Sequence, residues 1–139
     1  METHGFLAPA TESEATAAYE DVGPAAQTVT REVAKAMEFD REEYDERVTG
    51  EVVATARDAL FASLLEVHSG TREAFEAWLD DHPDTDVRHN GSEDVDNVAW
   101  HYVPFEDTVV TATYQNEPDA ARATLRRIVH GRFYRDVVQ

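Results

Sequence analysis

An α+β fold with one small antiparallel sheet is what this sequence predicts, on three observations. The first is the stretch from Glu51 to Val67, where Val52, Ala56, Leu60, Leu64 and Val67 recur at helical spacing and Val53, Phe61 and Leu65 add a second row. A helix apolar on two sides is expected to lie centrally under its neighbours. The second is a change of period near residue 86. Val98, Trp100 and Tyr102 alternate with Ala99, His101 and Val103, and Val109, Thr111 and Thr113 with Val110, Ala112 and Tyr114, as strands do. The third is segregation: helical patterns fill 11–82 and 117–135, strands fill 86–115, and only the lead-in 1–10 reads as irregular. This predicts one domain with about four helices in its N-terminal layer, then the sheet, then a C-terminal helix.

Each element has its own signals. Thr11, with Glu14 three residues on, marks a capping box for a helix over 12–22. Gly23-Pro24 ends that helix and starts a second, reaching about Phe39, whose stripe of Ala26, Val29, Val33, Ala36 and Met37 is expected to face inward. Asp40 and Glu43 repeat the capping pattern before REEYDERV, which is either a separate short helix or the first turns of the core helix. Gly50 allows a break near Thr49 without deciding between the two. Ser69-Gly70 is expected to close the core helix, and Thr71 to cap a short one in which Phe75, Trp78 and Leu79 face in. His82-Pro83 ends it. Asp86 to His89 reads as a short strand, and PFED as the hairpin connection between strands 98–104 and 108–114. Asn116 is expected to cap the last helix, with Pro118 in its first turn and Gly131 a possible kink.

Composition bounds the function. A 42% hydrophobic content suffices for a core, the absence of cysteine excludes disulfides and thiolate metal sites, and no 18-residue apolar run is present to span a membrane. The acidic start METHGFLAPATESEA does not read as a secretory signal, so a cytoplasmic location is expected. Charge is the strongest global feature: 29 acidic against 12 basic residues, a formal −17, with Lys35 the only lysine. The acids are spread along a chain that also holds two Trp, five Tyr and six Phe, unlike a disordered acidic segment. A folded domain so coated suits a cytoplasm at molar salt, where screening falls to about 3 Å. An acidic protein of a mesophile is the plainer alternative.

The stretches GPAAQTVTREVAKAMEFDREEYDERV, ARDALFASLLEV, VAWHYVPF and ATLRRIVHGRFYR together resemble a small family of uncharacterised haloarchaeal proteins, over essentially the whole chain. The resemblance implies a halophilic, salt-adapted cytoplasmic protein of unknown function. It carries no catalytic motif, so it transfers no functional residue.

The chemistry on offer is sparse. Phosphate-binding glycine loops, GxSxG and HExxH are absent. HPDTDVRH places His82, Asp84, Asp86 and His89 close together, and His101 on the next strand could approach them to hold a divalent metal; a helix end followed by a solvated acidic loop is the plainer reading, and no cofactor is otherwise expected. Trp78, Trp100, His101 and Tyr102 could line a pocket, though such aromatics more often form core. The last 23 residues hold five arginines against three acids while the rest of the chain carries −19. Arg126, Arg127, Arg132 and Arg135 are therefore the candidate anion- or partner-binding set; pairing with the protein's own carboxylates is the alternative. The expected function is a non-enzymatic interaction protein, homodimeric, with no membrane contact. A nucleic-acid- or nucleotide-associated protein using the same arginines, or an acidic-protein binder, is the second reading. A small metal-dependent enzyme is the third.

Overall fold

Side-chain caps set most of the helix starts. In the computed structural model, which describes all 139 residues, Thr11 Oγ1 accepts from the Glu14 amide at 3.1 Å and Glu14 reaches back to the Ala10 amide at 2.8 Å. This opens α1 (Glu12–Asp21). Pro24 sits in the first turn of α2 (Gly23–Ala36), which stops short of Phe39. Asp40 caps α3 (Arg41–Arg47), and Thr49 caps α4 (Gly50–Leu64) through the Val52 amide. REEYDERV is thus a helix of its own. Thr71 caps α5 (Arg72–Asp80). The last helix, α6 (Pro118–Val129), starts after Glu117 and has no side-chain cap, so the expected role of Asn116 is not seen.

Two strands lie where none was expected. The core helix ends at Leu64, and β2 (Val67–Thr71) follows, burying Val67 and Ser69 on alternate positions. Glu2–His4, inside the supposed irregular lead-in, forms β1 against it. With β3 (Asp86–Asn90), β4 (Asn97–Val103) and β5 (Thr108–Tyr114), they make a five-stranded sheet of order β1-β2-β4-β5-β3. Its β3–β5 pair is parallel and the rest antiparallel, so the sheet is mixed rather than purely antiparallel. The polar loop after β3 carries the chain past β5 before β4 begins. β3 and β5 then run the same way with the β4–β5 hairpin reversing between them. The α+β class holds.

Strand alternation divides the core. Toward α1, α4 and the C-terminal helix the sheet presents Val67, Ala99, Val103, Val110 and Ala112, which pack with Phe61, Leu65, Leu125, Val129 and Tyr134. Toward α5 it presents Val98, Trp100 and Val109, which meet Phe75. The C-terminal end of the core stretch is what enters the core: Phe61 and Leu65 of the second row are fully buried and Leu64 of the first packs against them, whereas Val52 near the start is exposed. Helix α2 is turned by one residue from its expected orientation. Ala26, Thr30 and Ala34 are buried while Val29, Val33 and Met37 are exposed. Small side chains on the inner face let α2 lie close to α4 and leave its larger ones outside.

Candidate functional site

Near Gly131 the last helix changes pitch. His130–Tyr134 form a π-helical segment, followed by α7 (Arg135–Val138). At 100° per residue, Arg135 would stand about 80° around the helix from Arg127; the extra residue of a π turn brings it to within about 20°. Arg127 and Arg135 consequently share one side with His130, facing α4 across a cleft of about 360 Å³. Ala59, Ala62 and Ala123 give the cleft an apolar lining, and Asp58 stands at its edge.

The groups in the cleft differ in how they are held. Arg126 is fixed by the fold: its Nε donates to the Leu65 carbonyl at 3.0 Å and its Nη2 to the His4 carbonyl at 3.1 Å. Burial, then the nearby Arg122, lowers its pKa from the ordinary arginine value. The turn that presents His4 passes through Gly5 at φ 81°, where a Cβ would lie 2.5 Å from the Leu65 carbonyl oxygen and 2.8 Å from the Arg126 guanidinium. Asp58 accepts from the Tyr19 hydroxyl at 2.7 Å and from the Gln139 side-chain amide at 2.7 and 2.9 Å. The Arg57 guanidinium lies over the Tyr19 ring, 4.3 Å from its centroid, a cation–π contact that braces the same corner.

His130 is 4% exposed, and neither ring nitrogen has a hydrogen-bond partner. Its Nε2 lies 3.7 Å from Asp58 Oδ1, beyond hydrogen-bond reach. Burial lowers its pKa, with the Asp58 carboxylate pulling upward and Arg135 downward. Arg127 and Arg135 have no carboxylate within 4.0 Å, although Arg88 pairs with Asp86 and Arg122 with Asp119. Arg132 is exposed and lies outside the cleft, as it does not share the face of the other three.

One turn further on, Tyr134 meets the sheet. His101 Nδ1 lies 2.5 Å from the Glu66 carbonyl oxygen, and its Nε2 lies 2.7 Å from the Tyr134 hydroxyl. A carbonyl only accepts, so Nδ1 carries the proton, Nε2 accepts, and Tyr134 donates. Burial is the main cause that drops the His101 pKa to about 4 and raises that of Tyr134.

The metal set proposed from sequence does not assemble. His89 shares the α5 face of the sheet with Thr111, whose hydroxyl it meets at 2.5 Å, whereas His101 points to the other face and spends both ring nitrogens there. Asp86 is paired with Arg88, Asp84 lies exposed in the turn before β3, and no three His, Asp or Glu side chains converge for a metal anywhere in the structure. The strand pleat is the reason: His89 and His101 are on opposite sides of it. Trp78, Trp100 and Tyr102 do come together, as core aromatics with Phe75, and His82 stacks on Trp78 with centroids 4.0 Å apart. His101 is not among them.

A second concave surface lies between α2 and α4, a groove of about 420 Å³. Val29, Val33, Met37 and Val52 line it and are 43 to 58% exposed, and Phe39 and Val48 close one end. Arg47 stands over the Phe39 ring at 5.4 Å.

The chain belongs to the family of unknown function DUF5809. That family's model matches residues 6–135, which takes in both the cleft and the groove. No curated protein and no solved structure matches the chain. In this member of DUF5809, then, function has to be argued from the two surfaces themselves.

Proposed function

We propose that the protein is a non-enzymatic interaction protein of a haloarchaeal, salt-rich cytoplasm, which works as a homodimer joined through the apolar face of α2 and α4. The carrying observation is the outward stripe of Val29, Val33 and Met37, continued by Val52 on the neighbouring helix. A contiguous apolar surface left in water is costly and marks an interaction site. Among assemblies, an isologous two-fold pairing is the commonest that covers such a face with itself. Helical periodicity supports the reading too, because the stripe patterns as a buried face while the single chain leaves it open. The −17 charge supports the salt-rich habitat: two like-charged copies meet easily only where salt screens them. No helix is long and apolar enough to cross a membrane.

Light scattering at about 2 M and about 0.1 M KCl tests this, since the screening length grows to about 10 Å at the lower salt. A dimer mass in high salt that falls toward the monomer mass in low salt is expected. The double variant Val33→Glu/Met37→Glu should be monomeric in both while keeping its helical circular dichroism. A wild-type protein that is monomeric at high salt overturns the proposal.

A further inference from the structure

We propose that the cleft between α4 and the C-terminal helix binds a small phosphate-bearing ligand, its oxygens held by Arg127 and Arg135 with His130 behind them. This site is separate from the proposed dimer face and does not depend on it. Four observations converge on it. First, Arg127 and Arg135 both line the cleft and, like most arginines of the chain, have no carboxylate within 4.0 Å, so their donors are free for a ligand. Both line the cleft from the same side of the helix, about two turns apart, and an anion bound between them would match their charge. Second, the π segment is what turns Arg135 onto the side of the helix that carries Arg127, and π turns of this kind occur frequently at functional sites.

Third, His130 lines the cleft at 4% exposure with both ring nitrogens unpartnered. Buried polar groups are normally satisfied, so a buried imidazole at the cleft wall with no partner for either nitrogen points to a ligand that reaches it when bound. Fourth, the remaining walls are mixed in a useful way. The alanines offer apolar contact to an organic body, and the 360 Å³ volume falls within the range of small-molecule sites. Asp58, already fixed by Tyr19 and Gln139, repels a second anionic group and accepts from a ligand hydroxyl. Two guanidiniums and an imidazole N–H outnumber the two oxygens of a carboxylate and suit the three free oxygens of a phosphate group. A ligand with one phosphate end and a short hydroxylated body fits all of these.

The full chain, in constant high KCl, would be titrated with inorganic phosphate, glycerol phosphate, acetate and a short single-stranded oligonucleotide, following the histidine ring resonances by NMR. A saturable shift of the His130 resonances with glycerol phosphate is expected, and its affinity relative to inorganic phosphate separates an organic ligand from the free ion. Arg127→Gln/Arg135→Gln should weaken binding by about tenfold or more, whereas Arg132→Gln should leave it unchanged, and melting curves would confirm that both variants fold. Absence of a saturable response to either phosphate overturns the proposal. So does acetate binding as tightly as phosphate, equal binding by the double variant, or capture of the oligonucleotide alone.

Discussion

Tyr134 donates its hydroxyl to His101 Nε2 at 2.7 Å, joining the π segment of the C-terminal helix to the middle of the sheet. The two residues are 33 positions apart, and both are almost completely buried. The Tyr134 ring also meets Phe61 and Phe105 edge-on, each at 5.6 Å between centroids. Replacing Tyr134 by Phe keeps those aromatic contacts and removes only the donor. His101 Nε2 is then a buried acceptor with no partner, which costs about 1–3 kcal/mol. Urea unfolding of Tyr134→Phe should show that loss with an unchanged slope; a loss below about 0.5 kcal/mol would mean that the hydroxyl matters little.

His101 also makes stability depend on pH in a definite direction. Its folded pKa, about 4, lies below the unfolded value of 6.5. Above the unfolded value both states are neutral and the full stability is present. As pH falls from 6.5 toward 4, the unfolded chain takes up a proton that the folded one refuses, so stability declines, by up to roughly 3 kcal/mol at the lower end. Burial shifts His130 in the same direction. In His101→Gln this part of the acid sensitivity should vanish. The stability gap between wild type and variant should narrow steadily as pH drops through that window. A gap that stays constant would show that folding does not lower the His101 pKa.

The two ends of helix α4 look alike in sequence but differ in burial. Phe61→Ala empties a site shared with Tyr19, Tyr134 and the His130 ring, and should cost about 3–5 kcal/mol. Val52→Ala, at an exposed position, should stay within about 0.5 kcal/mol when measured on the monomeric Val33→Glu/Met37→Glu background. Thermal melts of the two compare the ends directly.

Local chemistry made much of the fold legible. Thr11, Asp40 and Thr71 announce their helices because a side-chain oxygen three residues before an amide needs no distant partner. Strand β2 was hidden because Leu64, Leu65 and Val67 keep a helical rhythm up to the point where the backbone has already turned. Ser69 and Gly70, which read as a stop, are members of the strand. The outward face of α2 was misjudged for a related reason: periodicity locates a stripe but not what covers it. Within the cleft, the arginines were legible as a compositional outlier. Asp58 carries no sequence signal of its own, and Arg132 groups with the others because the pitch change at His130 leaves no mark in the residue pattern beyond Gly131. The meeting of His101 with Tyr134, and of Asp58 with Gln139, depends on tertiary placement alone.

The sheet's two outer strands limit how this molecule can meet another. β1 is only three residues long, and β3 is exposed along nearly its whole length and carries the Asp86–Arg88 ion pair. Short, charged borders are poor templates for adding a further strand from a neighbouring chain. Native molecules should therefore resist edge-to-edge stacking and amyloid-like growth even at high concentration, and a concentrated solution should stay clear for as long as the fold survives. Aggregation, when it comes, would begin with local opening that bares β4 or β5, whose runs of valine and aromatic residues are sealed in the intact sheet.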